Sequence, residues 1–267
     1  MGIAIATLWA LALRSKTGKK MEEKIQHYIK APITEAVIDL RVEMSFEGGL
    51  SSLNDFGHRI QAEYLKRSEL VNVESQIQIK EGETSIAGNQ TVFGYRYSSP
   101  DNKQIVQARL DGFSFSRLAP YEKWEIFRDE ARRLWDLYQV TTNSTTVTRV
   151  AVRYINRLDL PLPLNNLKEY LLTAPEISHK LSQGLSDYFM QLEIPQEDIE
   201  ATLVLIEALI PSSKDNFLSV LLDIDLFSHV DFASNDDKHW SLLETFRSRK
   251  NEIFEACITD KTRELLK

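Results

Sequence analysis

One cysteine, Cys257, is the whole thiol content of this 267-residue chain. No internal disulfide can form, so a disulfide-stapled secreted framework is excluded and a reducing cytosol is the expected compartment. Glycine is also scarce, with ten in all, and none falls in a Gly-rich phosphate loop, a dinucleotide fingerprint or a kinase signature. Without those close-approach backbones a standard nucleotide enzyme is not expected, and no cofactor is implied. The five histidines contain no His-Glu-x-x-His pair, and no serine occupies a Gly-x-Ser-x-Gly elbow. The markers of zinc proteases and α/β-hydrolases are therefore missing.

Surplus positive charge is absent too. The formal net charge is −7, which excludes bulk attraction to nucleic acid or an anionic membrane, though a local basic groove remains compatible with it. The apolar stretch Ile3 to Leu13 is about half of the ~20 residues a membrane-spanning helix needs, and its charges follow it rather than precede it. No membrane span is expected. The reading of residues 1–27 is a tail, with Met21 as the natural start, because Met21-Glu-Glu-Lys24 opens an ordinary charged segment.

What is present is ordinary globular composition, 43% hydrophobic and 27% charged, with no Pro/Gly/Ser-rich linker to mark a domain cut. Period-two alternation predicts a first strand over Ala36–Met44 and a long central strand over Val147–Leu160. Further strands are predicted over Val71–Lys80, Thr91–Tyr97, Gln104–Leu118, Tyr188–Ile194, Ala201–Ile210 and Phe217–Phe227. Helical spacing predicts a helix from about Ser52, with Ser52 and Asp55 in capping-box spacing and Gly57 marking close packing. It predicts a second helix from near Tyr121 and a last one over Lys238–Ala256. Short helical connections are read at Leu167–Leu172 and Ile177–Leu185.

The element order predicts an α+β fold made of two similar halves, 28–146 and 147–267, within one compact unit. Each half reads strand, helix, three strands, helix, which suggests an internal duplication: an antiparallel sheet with helices on one face. Strand parity then sorts the side chains. Val150, Val152, Tyr154, Leu158 and Leu160 share one side of the central strand, and Arg149, Arg153 and Arg157 share the other. Asp223 and Asp225 leave the last strand on the side opposite to its apolar residues, as do Asp39, Arg41 and Glu43 in the first strand. The helix-free face is therefore expected to be a field of arginines and carboxylates. Cross-strand ion pairing accounts for such a field structurally. A groove whose guanidinium forks grip a partner's phosphate or carboxylate accounts for it functionally.

Two other polar clusters carry weaker signals. His229, Asp231, Asp236, Asp237 and His239 could offer imidazole and carboxylate to a divalent ion, but Ser234 to Asp237 equally suit a loop and helix cap, and no metal site is expected. Asp111, Ser114, Ser116, Arg117 and Tyr121 sit at a strand-to-helix corner, where an architectural role is favoured over recognition. Cys257, among apolar neighbours, reads as a buried structural thiol.

Four stretches then combine into a resemblance. Tyr28 to Ala36, Asp111 to Tyr121 followed by Trp124 and Trp135, Arg149 to Arg157, and Arg249 to Thr259 together resemble a sporadically distributed, uncharacterised prokaryotic family of similar length, from about Tyr28 to Lys267. The resemblance implies a common shape and supplies no activity. The functional expectation is a cytosolic binding or interaction protein without catalysis, with Arg149, Arg153, Arg157, Asp223, Asp225 and Arg41 meeting a partner that is itself a protein. Nucleic acid is the less favoured partner. The competing expectation is a metal-dependent nuclease or RNA-processing enzyme in which Asp223 and Asp225 hold magnesium and the arginines hold phosphate.

Overall fold

The computed structural model describes residues 28–43, 48–80, 83–178, 180–181 and 185–267, without the side chains of 74–80 and 83–87. The expected tail with Met21, together with Met44 and His179, lies outside the described residues.

The fold is α+β, built on one antiparallel sheet of nine strands. In chain order the strands and helices are β1 (Ile33–Val42), α1 (Gly49–Ile60), β2 (Lys66–Lys80), β3 (Glu83–Ser98), β4 (Gln104–Arg109), β5 (Gly112–Leu118), α2 (Trp124–Thr142), β6 (Thr146–Pro161), β7 (Phe189–Gln196), β8 (Ala201–Ile210), β9 (Phe217–Ala233), α3 (Lys238–Cys257) and α4 (Asp260–Leu266). Across the sheet they run β2-β3-β4-β5-β1-β6-β9-β8-β7, so the first and second strand groups meet at the β1–β6 pair.

Alternation decides which side of each strand is buried. Ala36, Ile38 and Leu40 of β1, Val150, Val152 and Tyr154 of β6, and Leu222, Ile224 and Leu226 of β9 point to one side. There they join one core with Leu53 and Phe56 of α1, Leu134 and Trp135 of α2, and Leu243 and Phe246 of α3. The helices α2 and α3 lie antiparallel, because Asp237, Glu244 and Arg247 along α3 pair with Arg132, Arg128 and Glu125 in reverse order along α2.

The expected element pattern needs correcting in both halves. The single strand read over Gln104–Leu118 is a hairpin, β4 and β5, turning at Leu110 and Asp111, so four strands rather than three separate α1 from α2. Gly112 closes that turn where a Cβ would stand 2.5 Å from the Leu40 carbonyl oxygen, so close approach of β1 demands glycine. In the second half the connection at Leu167–Leu172 is a 3₁₀ turn over Leu167–Glu169, and the described part of 177–185 holds no helix. The strand-helix-three-strand-helix order is thus matched literally by neither half. Ser52 and Asp55 also lie inside α1, which starts earlier at a left-handed Gly48 and has no side-chain cap. Gly57 does mark close packing: the Tyr97 ring lies against it, and the Tyr97 hydroxyl donates to the Leu53 carbonyl oxygen at 3.1 Å.

Candidate functional site

The predicted arginines do share one side of the sheet, and each is paired within the chain. Asp39 is the hub, accepting from Arg41 at 3.2 Å, Arg149 at 3.2 Å and the buried Arg109 at 2.6 Å. Arg41 also reaches Asp111. Arg153 holds Asp223 through Nε, at 2.9 and 3.0 Å from its two carboxylate oxygens. Arg157 donates to Asp159 and Ser219 at 2.9 Å each. Burial pushes the Asp159 carboxyl up, but hydrogen bonds from Lys214, Ser219 and Arg157 outweigh it and hold the group at about 2. Asp225 has only a loose contact with Arg149, at 3.8 Å, and burial raises its carboxyl against the pull of Arg149 and Arg153. The same side of the sheet carries half-buried Val204, Ile206, Leu221 and Phe227, and Arg149 lies 4.5 Å from the Phe227 ring centroid. Arg109 was missed by the sequence reading, although its alternation with Ala108 on β4 was a usable signal.

Among the described residues no three His, Cys, Asp or Glu side chains gather to hold a metal. The acidic loop cluster disperses because His239 turns inward, 5.6 Å from Trp135 and 5.2 Å from Trp240, while Asp236 accepts from the Lys238 backbone N–H at 3.1 Å. Cys257 is buried, and burial drives its thiol up to about 12, away from nucleophilic use.

A cavity of about 1000 Å³ opens on the helix side of the sheet. Its floor is Ile33 of β1, Tyr154 and Asn156 of β6, and Ile224 of β9. One wall is the entry to α2, from Ala119 through the cis Ala119–Pro120 bond to Tyr121, Trp124 and Glu125. The opposite wall is the second half of α3, including Arg247, Lys250 and Asn251, and the segment Tyr28 to Pro32 closes the end. Tyr28 is anchored there by donating to Glu255 at 2.6 Å, a carboxylate that also accepts from Arg263 of α4 at 2.7 Å. The Lys30 backbone N–H adds a bond to the Leu266 carbonyl at 3.0 Å.

Five aromatic side chains, Tyr28, Tyr121, Trp124, Tyr154 and Phe254, border the cavity together with nine charged ones. The Tyr121 and Tyr154 hydroxyls are 3.0 Å apart, their rings meet edge to face at 5.6 Å, and burial raises the phenol of Tyr121 to about 12. The Lys250 ammonium lies 3.8 Å from the Tyr154 ring centroid and has neither a hydrogen bond nor an ion pair with any described residue. Lys250 borders the cavity, and desolvation by burial, helped by nearby Arg247, lowers the amine to about 7. Asn156, 3% exposed, spends its amide on the Leu222 carbonyl at 3.0 Å.

Four stretches distant in sequence contribute lining: Tyr28–Ile33, Pro120–Tyr121 with Trp124, Tyr154 with Asn156, and Lys250–Glu252 with Phe254 and Glu255. The sequence reading did not find this site. Asn156 was its one local signal, a lone amide in the apolar register from Val150 to Leu160. No protein-family model, curated protein or solved structure matches the chain.

Proposed function

We propose that the protein is a binding protein whose ligand seat is the cavity between the α2 entry, α3 and the segment Tyr28–Pro32. The observation that carries this reading is convergence: four stretches far apart in sequence supply the lining of one large, aromatic-walled cavity. A concave chamber of this size that joins aromatic rings to convergent polar groups is a usual form of a small-molecule site. The hydroxyl pair of Tyr121 and Tyr154, the amine of Lys250 and the amide of Asn251 supply orienting chemistry.

The sheet side opposite fits a supporting role better than a gripping one. Arg41, Arg149, Arg153 and Arg157 are each held by an internal carboxylate, so an outside phosphate or carboxylate would have to displace a partner built into the fold. Strand order also supports an internal duplication in the ancestry of the cavity. The series β1-β5-β4-β3 on one side of the central pair is echoed by β6-β9-β8-β7 on the other, and α2 and α3 follow the equivalent strands β5 and β9.

The test is saturable binding. Equilibrium dialysis against phenyl, naphthyl and indolyl compounds is expected to find ligands for the wild type that the cavity-filling change Asn251→Trp excludes. A folded wild type that binds none of them, or an Asn251→Trp variant that binds them unchanged, overturns the reading.

A further inference from the structure

We infer that the cavity takes a monoanionic aromatic acid, with the carboxylate seated against Lys250 and the aromatic body against Tyr121, Tyr154 and Trp124. This inference rests on the ligand-cavity reading above and adds the chemical class of the ligand.

The argument begins from a missing counter-charge. Every arginine of the opposite sheet side named above has a carboxylate partner, whereas Lys250, which borders the cavity, lies against an aromatic ring and has no ion pair with any described residue. An enclosed ammonium without a counter-ion is costly, and an anionic ligand would relieve that cost on arrival. The neighbouring Arg247 strengthens the demand, since its one ion pair among the described residues is a long one of 3.5 Å to Glu125. Two cations on one helix face therefore meet a single loosely engaged carboxylate. The lowered proton affinity of Lys250 is the same deficit seen from the amine, and a bound carboxylate would restore its charge.

The lining also limits the ligand's charge. Glu122, Glu125, Glu252 and Glu255 all border the cavity, and Glu255 is engaged by Tyr28 and Arg263. Five cations, Lys30, Lys123, Arg247, Lys250 and Arg263, border the same space as these four carboxylates, a surplus of one positive charge, so a single negative charge balances the lining better than a phosphate dianion. The aromatic body follows from the walls: Tyr121 and Tyr154 meet edge to face, Trp124 turns its indole N–H away to Glu244 at 2.8 Å, and Phe254 packs against Tyr28 at 6.1 Å. With its N–H already satisfied, the Trp124 ring is left as apolar wall.

The experiment uses matched probes on the full chain by calorimetry: 3-phenylpropionate, 3-phenylpropanol and phenyl phosphate. The wild type is expected to prefer the acid to the alcohol by about tenfold or more, the scale of a charge-assisted contact. Lys250→Met is expected to abolish that preference by weakening the acid alone, and Lys250→Arg to retain it. Circular dichroism checks each fold, and Lys250→Gln replaces the Met variant should that fail to fold. Equal binding of acid and alcohol by the wild type overturns the inference and leaves the cavity reading standing. Tighter binding of phenyl phosphate than of the acid overturns it in favour of a phosphorylated ligand. Binding of none of the three overturns both.

Discussion

Arg153 faces Asp225 in the β6–β9 register, but its guanidinium is bonded to Asp223, two residues along the same strand. The diagonal choice follows from burial. Asp223 is 2% exposed and cannot reach water, whereas the Arg153 side chain is 45% exposed and can swing toward it. A buried carboxylate left alone pays its full desolvation cost, so the pair forms where the need is greatest.

Arg153→Met is therefore expected to destabilise the fold by about 2 kcal/mol, at the low end for a broken buried pair because the guanidinium is half solvated. Adding Asp223→Leu is expected to recover most of that loss, since the isolated charge goes with it. Urea denaturation of both variants measures the difference. A loss below about 0.5 kcal/mol for Arg153→Met would mean that water already serves Asp223. The result also calibrates any charge reversal at Arg149, Arg153 and Arg157, where lost binding and lost stability must be told apart.

Much of the sheet was legible because alternation is a local property. β8 falls on the predicted residues, and the side-chain sorting of β1 and β6 follows parity alone. The β4–β5 hairpin carried an Asp-Gly turn signal, Asp111-Gly112, which the reading of one unbroken strand over Gln104–Leu118 passed over; the turn itself falls one residue earlier, at Leu110-Asp111, with Gly112 opening β5. The first residues of β2, Lys66 to Leu70, were hidden for a different reason. This is an outer strand with a largely exposed, polar start, so no buried face imposes a pattern. The cavity was illegible in principle, because it arises where four segments distant in sequence pack without filling the space between them. Only Asn156, out of place in an apolar register, pointed to it.

Gly57 offers a test of the α1 packing. Alanine normally strengthens a helix interior by about 1 kcal/mol relative to glycine. Here a Cβ would meet the Tyr97 hydroxyl at 2.4 Å and its ring carbons at 2.9 Å, so Gly57→Ala is expected to cost about 1–3 kcal/mol. Removing the obstacle in Gly57→Ala/Tyr97→Leu is expected to make the alanine neutral or favourable against Tyr97→Leu alone. Thermal denaturation of the four-variant cycle checks the coupling, and additive effects would refute it.

His239 gives the fold an acid sensitivity. It is 1% exposed, neither ring nitrogen has a partner, and burial lowers it to about 4 although Asp237 pulls the other way. Between about 4 and 6.5 the unfolded chain binds the proton more readily than the folded one, so stability falls as pH drops through that window and is complete above it. The contribution is at most about 1.4 kcal/mol per pH unit. His239→Phe keeps the ring between Trp135 and Trp240 and is expected to flatten this part of the pH–stability curve, while costing nothing at neutral pH. An unchanged acid slope would assign the sensitivity to other groups.

Lys250 carries the opposite kind of evidence, a residue whose removal should help the empty protein. Its folded value near 7 lies below the ordinary 10.5, because enclosure and Arg247 disfavour the charge. Above about 7 the unfolded chain holds a proton that the folded chain releases, so stability attributable to this group rises with pH up to about 10.5. The penalty is fully present at and below neutrality. Lys250→Met keeps an apolar stem against Tyr154 and loses a cation–ring contact worth about 0.5–1 kcal/mol, but it also removes an ammonium without a counter-ion. The net expectation is a gain of about 1 kcal/mol at pH 7, a figure discounted because Lys250 borders the cavity. The advantage should shrink steadily as pH rises above about 7 and approach zero only above about 10.5, where the wild-type amine is neutral in both states. Denaturation at about pH 6, 8 and 10 reads the trend directly. A Met variant less stable than the wild type at every pH would show that Lys250 holds the fold together, and the residue would then cease to be a group waiting for an anion.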